Sequence, residues 1–468
     1  MSVAATRFVP APRVVEQVLE ASESDGCIVI VEDRSEAEVR FANNTVTTNG
    51  TRRDRTVVAI ALREGEGGTA VGIASRSGTG DAIDLLRRAE ANAATAPPAE
   101  DAAPLVTPGS TGAEADFGDP PVTTNLAGLG DVLTGLGEAF GRARAAGSQL
   151  AGFAEHKVST VYLGSSAGLR LRHVEPTGKL ELVGRADGGA RSAWVSAGVA
   201  DLATVRLEEL EERLTRRLGW AERKVDLDAG RYEVVLPPDA VADLMVMLGV
   251  STSGREAEEG RSVFSAPGGA TRVGESLSPH PFTLRSDPFE TGLECTPFLV
   301  APASSQDVSV FDNGLPLERT EWISGGRLER LQYHRAAAAR SSVQPAAFIN
   351  NLSLELPGAT SSVEDLVART DRGLLLTCLW YIREVDPATL LLTGLTRDGV
   401  YLVEHGEITG SVNNFRFNES PVDLLAKTVE AGRTERALSR EWNEWLNRTA
   451  MPSLRVADFN MSSVSPAT

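Results

Sequence analysis

The residues best suited to chemistry in this chain are few and scattered. Five histidines occur, His156, His173, His280, His334 and His405, and none stands near another at a metal-ligand spacing. Zinc gripped by imidazoles wants a local pair such as HxH or HxxxH, which puts two ring nitrogens on one face of an element. The cysteines, Cys27, Cys295 and Cys378, form no CxxC. A zinc site would have to assemble from distant residues, for instance His280, Cys295 and His334; the plainer reading is locally hydrogen-bonded or solvated side chains. Gly164-Ser165-Ser166-Ala167-Gly168 matches the G-x-S-x-G pattern of serine hydrolases, whose nucleophile sits on a strand-to-helix elbow. Here the strand-like run GLRLRHVE follows, so hairpin-turn glycines explain the match better. Scattered catalysis by Ser166, His173 or His280 is the remaining enzymatic reading from these groups. Gly65-Glu66-Gly67-Gly68 falls between strand-like runs, where a phosphate cradle would want a helix N-terminus. Gly78-Thr79-Gly80 does precede a helix, but no P-loop Lys-Ser/Thr follows. Glu258, Glu259 and Asp243 are carboxylates of the kind an acidic chain brings together by chance.

The elements that must position these groups are legible as patterns. An amphipathic helix is predicted from about Val14 to Glu23. CIVIVED, EVRFANNTVTTN, RTVVAIALRE and TAVGIASRSG then read as strands of a meander, with turn residues between them. Asp81 caps a helix running to Asn92. Residues 95–121, rich in Ala, Pro, Gly and acids, predict a loop or linker. A helix follows over Leu126–Ala146, then four strand-like runs, AGFAEHKVSTVYLG, GLRLRHVE, KLELVGRA and SAWVSAGV, separated by turn signals. A charged amphipathic helix spans Asp201–Leu218. The second half is mostly strands, with helices predicted at Asp239–Leu248, His334–Arg340, Val363–Thr370, Pro421–Ala431 and Thr434–Leu446. Trp380 and Tyr381 lie in an apolar strand and read as core. Trp442 and Trp445, at i and i+3 on the last helix, read as core or as a subunit interface, which tryptophan favours. The fold class is α+β: an N-terminal mixed α/β domain with an antiparallel meander over residues 1–226, then a β-rich C-terminal domain over 227–468.

Composition limits the partners. The 468 residues carry 46 Lys+Arg against 64 Asp+Glu, a net charge of −18. With no basic run to offset it, that charge argues against nucleic acid and against an anionic membrane surface. Three cysteines far apart suit a reducing compartment, not a disulfide framework. The segment that opens the sequence has no long apolar core of the secretory type, and no stretch reaches the ~18 apolar residues of a membrane span. The cytoplasm is the expected location.

One segment carries more than its composition. Arg231–Ser253, RYEVVLPPDAVADLMVMLGVSTS, predicts a short strand, a break and one apolar helix. That unit resembles the place where peptidases of the TldD/PmbA family carry an HExxxH zinc motif. Other stretches resemble the same family in the same order: EVRFANNTVTTNGTRRDRTVVAIALREGEGGTAVGIAS, VYLGSSAGL, DVSVFDNGLPLERTEWISGGRLERLQYHRAAAAR, REVDPATLLLTGLTRDGVYLVEHGEITGSVNNFRF and MPSLRVADFNMSS. Two departures go together. The helix after Pro238 has neither histidines nor a glutamate, and Met245, Val246 and Met247 stand at the degenerate position. No cysteine follows Cys378, whereas the zinc-bearing TldD subunit is expected to supply a late one. The chain is therefore most similar to the TldE (PmbA) side of the family.

The resemblance implies a cytosolic heterodimer whose TldD-like subunit holds zinc, while the other subunit closes the chamber around an extended peptide. Substrates would be unfolded peptides or leader segments. For this chain it implies no catalytic residue, no metal and no cofactor of its own. Peptide would add to a strand edge, for which Gly399, Val400, Tyr401, Leu402 and Val403 are the candidate stretch. The alternative is a structural or binding homo-oligomer that has lost the family's peptidase chemistry.

Overall fold

The apolar run that begins at Cys27 does not stop at Asp33. It continues through the alternating segment behind it as a single strand, β1 (Gly26–Ala42), because every second side chain from Cys27 to Phe41 is buried. Asn43 and Asn44, both at positive φ (52° and 60°), turn the chain into β2 (Thr45–Gly65). This is the two-residue geometry that asparagine tolerates and that matches the twist of the strands. In this computed structural model, residues 9–109 and 116–466 are described. The first eight residues and residues 110–115 of the predicted loop lie outside them. Helix α1 (Ala11–Ala21) precedes β1; β3 (Gly68–Ser77), α2 (Ala82–Thr95), α3 (Gly130–Ala145), β4 (Gln149–Ser165), β5 (Arg170–Ala186), β6 (Arg191–Val199) and α4 (Leu207–Trp220) follow β2. The six strands form one antiparallel sheet in the order β3-β2-β1-β4-β5-β6. On one face α1 and α2 cover one end and α3 and α4 the other.

The opposite face is covered by the second half of the chain. Ile28, Ile30, Leu163 and Leu171 pack there with Phe298, Val310 and Phe311. The stretch behind α2 is irregular, as its composition predicts, but it is not a solvated excursion. Val106 and Phe117 are buried, and Arg335 and Arg340 donate to the carbonyls of Pro104 and Glu100 at 2.8 Å each. Backbone carbonyls used in this way tie the loop between the two halves.

The second half contains β7 (Lys224–Val225), β8 (Gly230–Leu236), α5 (Pro238–Val250), α6 (Gly254–Glu258), the short pair β9 (Ser265–Ala266) and β10 (Ala270–Thr271), β11 (Thr283–Ser286), β12 (Thr320–Ser324), β13 (Arg327–Leu328), α7 (Arg335–Ser341), β14 (Leu352–Glu355) and α8 (Val363–Ala368). It ends with β15 (Arg372–Leu376), β16 (Leu379–Asp386), β17 (Leu391–Thr396), β18 (Val400–Glu404), β19 (Glu407–Val412), β20 (Phe415–Glu419), α9 (Pro421–Lys427), β21 (Thr428–Ala437) and β22 (Thr449–Val464). Strands β8 and β22 lie at the centre of a large mixed sheet. Its core is built around α5. The architecture is the expected α+β arrangement with a β-rich second half.

Three expectations are corrected. GLRLRHVE and KLELVGRA are one strand, β5, running straight through Pro176 and Gly178. Pro176 lies beyond the last β6 partner, Gly178↔Val199, so its missing N–H breaks no β5–β6 bond. The helix predicted over Pro421–Ala431 ends at Lys427, and the one predicted over Thr434–Leu446 does not form. Its first residues belong to β21, which pairs with β22, and Leu438–Leu446 is a chain of turns. Pairing along the long β22 outweighs a helical spacing of apolar residues. Helix α6 was not anticipated.

Among the described residues no helix is long and apolar enough to cross a membrane. One close approach fixes how α2 lies on its sheet. A Cβ on Gly72 of β3 would collide with the Ala89 carbonyl oxygen and the Ala93 amide nitrogen of α2. Gly72→Ala is expected to cost about 3 kcal/mol through forced separation of helix and sheet, read as a lower urea midpoint; an unchanged midpoint would show that α2 is not packed this tightly.

Candidate functional site

Helix α5 is apolar almost all round, and a helix of that kind has to be buried. Met245, Val246 and Leu248 are fully buried, while Met247 is partly buried and packs on the same core. Pro238 at the first helical turn loses no hydrogen bond, since that N–H has no intrahelical acceptor. The residues at the degenerate position do not fit zinc. They offer thioethers and hydrocarbon where imidazole or carboxylate would be needed. Among the described residues the one group of three potential ligands within reach of each other is Glu36, Glu38 and Glu155. It lies on the first sheet, and the Lys179 ammonium is 3.5 Å from Glu155, so a cation already sits there.

The helix does carry two buried carboxylates, and both hold the turn that follows β21. Leu438 N donates to Asp239 Oδ1 at 3.0 Å. Ser439 Oγ and Glu441 N donate to Asp243 Oδ1 at 2.6 and 2.9 Å. Trp442 Nε1 donates to the Asp243 carbonyl at 2.9 Å. Asp243 Oδ2 has no partner. Burial raises the Asp243 pKa to about 7, with the hydrogen bonds from Ser439 and Glu441 pulling the other way. Burial likewise raises Asp239, opposed by the charge of Arg213.

The same turn crosses to the first sheet. Arg440 lies 3.9 Å from the Trp380 ring centroid and donates to Asp398 Oδ2 at 3.0 Å and to Cys378 Sγ at 2.7 Å. Ser192 Oγ of β6 donates to Asp398 Oδ1 at 2.6 Å. Asn443 Nδ2 donates to Glu181 Oε1 at 3.0 Å, and Lys179 pairs with Glu444. Arg448 reaches the Pro176 carbonyl at 2.7 Å and Glu175 at 3.1 Å. Charge-assisted bonds of this kind, largely withdrawn from water, hold two surfaces in one register.

Beside this network lies a cleft of about 440 Å³. Its walls are β6 with α4 on one side and β21 with the start of α5 on the other. Among the described residues β6 pairs as a strand only with β5 and β21 only with β22, so each is strand-paired along one edge; on the other edge of β21 the Arg433 amide donates to the Ser361 carbonyl at 2.9 Å. The cleft is rich in arginine, which the sequence reading passed over. The available signal was the spacing of Arg206, Arg213, Arg217 and Trp220, which places them along one face of α4.

The other expected site residues are dispersed. The stretch Gly399–Val403 does not offer a strand edge. Val400, Tyr401, Leu402 and Val403 are buried in β18, which is bonded to β15 on one side and β19 on the other. Gly399, which precedes β18 at φ +156°, accepts through its carbonyl from Thr377 N at 2.9 Å. Main-chain addition there is ruled out because both edges are used. Ser166 Oγ, in the β4–β5 hairpin turn, accepts from Cys27 N at 3.0 Å, so the G-x-S-x-G elbow is absent. His280 Nε2 donates to the Thr428 carbonyl at 2.8 Å, and His334 Nδ1 accepts from Ala337 N at 3.3 Å as the cap of α7. His156 bonds Thr124 and exposed His405 bonds Asp371. Burial pulls His173 and His334 below the usual imidazole range. Cys27, Cys295 and Cys378 are all free and buried; burial pushes the Cys378 thiol up to about 12. Asp81 caps α2 through Ile83 N at 2.8 Å, and its carboxylate occupies the spot a phosphate would need. Glu258 accepts from Tyr333 and Glu259 pairs with Arg255 and Arg261. Tyr381 is half exposed, contrary to the core reading. Trp445 is 59% exposed on a turn, while Trp442 packs against the core.

Asp243 gives a pH test. Its folded pKa of about 7 exceeds its reference value of 3.8. Its contribution to stability is therefore full below the lower value and is lost as pH rises through the higher one. Asp243→Asn keeps an acceptor for Ser439 and Glu441 and removes the ionisation. Relative to that variant, the parent should lose stability between about pH 4 and pH 7 in chemical denaturation. Parallel pH profiles would contradict the assignment. Asp243→Ala leaves two donors unmatched and should cost about 2 kcal/mol below about pH 4, a cost that shrinks as pH rises through about 7 because the parent alone loses stability there.

Residues 229–463 match the family model described as PmbA/TldA metallopeptidase C-terminal domain. The fold resembles that of TldE from Thermococcus kodakarensis (17% identity, TM-score 0.76, covering 96% of this chain and 98% of that one). It also resembles putative modulators of DNA gyrase from Thermotoga maritima (16%, TM-score 0.72, 96% and 99%) and Bacteroides thetaiotaomicron (14%, TM-score 0.71, 97% and 98%). No curated protein sequence matches the chain. A strand leading into a sealed helix in the second half, on a fold shared over nearly the full length, and the family match over residues 229–463 place this chain in the PmbA/TldD family of metallopeptidase-related proteins.

Proposed function

We propose that the chain is the zinc-free, TldE-like subunit of a TldD/TldE-type heterodimeric metallopeptidase of the cytoplasm. The observation that carries this reading is α5. Its degenerate position is closed by Met245, Val246 and Leu248, and its two carboxylates are spent on holding the turn after β21. A TldD-like partner carries the zinc and hydrolyses the peptide bond. This chain, read as domains over residues 1–226 and 227–468, shapes the chamber and the partner interface. Substrates are unfolded or leader peptides in extended form. The cleft between β6 and β21 supports that, since strands paired along one edge leave main-chain groups for an extended chain.

The test is reconstitution. The purified chain should hold no stoichiometric zinc by elemental analysis. It should leave an unfolded peptide intact, and cleavage should begin when a TldD-like subunit bearing HExxxH is added. Tightly held zinc with cleavage by the isolated chain would overturn the proposal. Self-association with no affinity for such a subunit would favour the homo-oligomer that has lost the family's chemistry.

A further inference from the structure

The cleft between α4 and β21 holds six arginines: Arg206, Arg213, Arg216, Arg217, Arg433 and Arg436. Its carboxylates are fewer: Glu209, Asp239, Glu364 and Glu435. In a chain with 46 basic and 64 acidic side chains, this lining reverses the overall balance. Three of the arginines are matched. Arg213 is 3.7 Å from Asp239, Arg216 4.0 Å from Glu364 and Arg433 2.5 Å from Glu435. Arg206, Arg217 and Arg436 make no ion pair among the described residues.

Arg217 is the decisive group. It is 6% exposed, lines the cleft, and has a single hydrogen bond, from Nη1 to the Trp194 carbonyl. A guanidinium has a fork of N–H donors, and one carbonyl leaves most of them unmatched. Burial pulls its pKa down to about 10, with the neighbouring Arg213 acting in the same direction. A buried cation with no ion pair of its own is costly; Asp239 offsets part of its charge from beyond ion-pair distance, and an anion arriving beside it relieves the rest. Behind the lining, and not part of it, the buried Tyr401 hydroxyl has no partner, and its ring packs edge-on at 5.2 Å to Trp220, which does line the cleft.

We propose that this cleft is an oxyanion-binding site that takes a carboxylate carried by an extended peptide, either its C-terminus or an acidic side chain. Guanidinium forks match carboxylate and phosphate alike, so phosphate is the second source of the same chemistry. The peptide assignment rests on reading the cleft as a peptide-facing surface. The binding itself needs neither partner nor zinc.

The test therefore uses the isolated full chain, with calorimetric titration as the readout. The probes are an uncharged unfolded peptide with a free C-terminal carboxylate, its C-terminal amide, the amide carrying one glutamate, and inorganic phosphate. The free acid or the glutamate peptide should bind at least about tenfold more tightly than the plain amide, and the advantage should shrink with salt. The exposed pair Arg206→Gln with Arg436→Gln should weaken that binding about tenfold while leaving the thermal midpoint unchanged. Arg217→Gln, which can still donate to the Trp194 carbonyl, should weaken it further. Phosphate that competes with the peptide acid supports one shared site. Phosphate binding with no response to any peptide keeps the oxyanion site and overturns its peptide source. Equal binding of acid and amide without phosphate binding, or arginine variants that bind like the parent, overturns the proposal. Failed cleavage with a TldD-like subunit would count against the heterodimer and leave this binding result untouched.

Discussion

A helix with no face toward water constrains everything packed against it. Val241, Leu244, Met245, Val246 and Leu248 are all withdrawn from solvent, and each such side chain favours the folded state by roughly 2 kcal/mol on transfer from water. The same enclosure penalises any polar group on the helix. Asp239 and Asp243 are tolerated because the chain after β21 brings donors to them. The turn at Leu438–Trp442 is thus placed by the helix, and it in turn positions Arg440, Asn443 and Arg448 against the first sheet. An apolar helix and two carboxylate oxygens, Asp239 Oδ1 and Asp243 Oδ1, connect the core of the second half to the contact between the halves.

That connection explains why the degenerate position and the cleft belong together. Metal chemistry needs donor atoms facing a space that water and substrate can enter. The middle of α5 faces packed hydrocarbon instead, and its first turn opens on the arginine-lined cleft. On the proposed reading, the functional surface lies not at the middle of the helix but at its beginning and at the strand edges beside it. Guanidinium groups on α4 and β21 supply the fixed positive charge of that cleft. Unlike a metal they attract anions without polarising a bound water.

Much of this was legible in the sequence, in proportion to how local the determining physics is. Helix α2 with its Asp81 cap, the β4–β5 hairpin and the strand–break–helix at Arg231–Val250 follow from neighbouring residues, and all are present. The failures share one cause. Residues 434–446 have helical spacing, yet β22 claims the first of them as a strand partner and α5 claims the rest through Asp243. Pro176 and Gly178 look like a turn, but lie inside a strand whose neighbours decide its course. Gly399–Val403 looked like an edge strand because nothing local distinguishes an edge from an interior position; its partners β15 and β19 come from elsewhere in the chain. The cleft arginines were visible only as charge on an amphipathic helix. Their convergence with β21 is a product of tertiary structure.

Native-state hydrogen exchange on α5 tests most directly whether the helix is a sealed wall. Its amides from Val241 to Gly249 should exchange only through global unfolding, with identical protection in zinc-containing and zinc-free buffer. Exchange by low-energy local opening, or protection that rises when zinc is added, would mean that the helix still presents a working face.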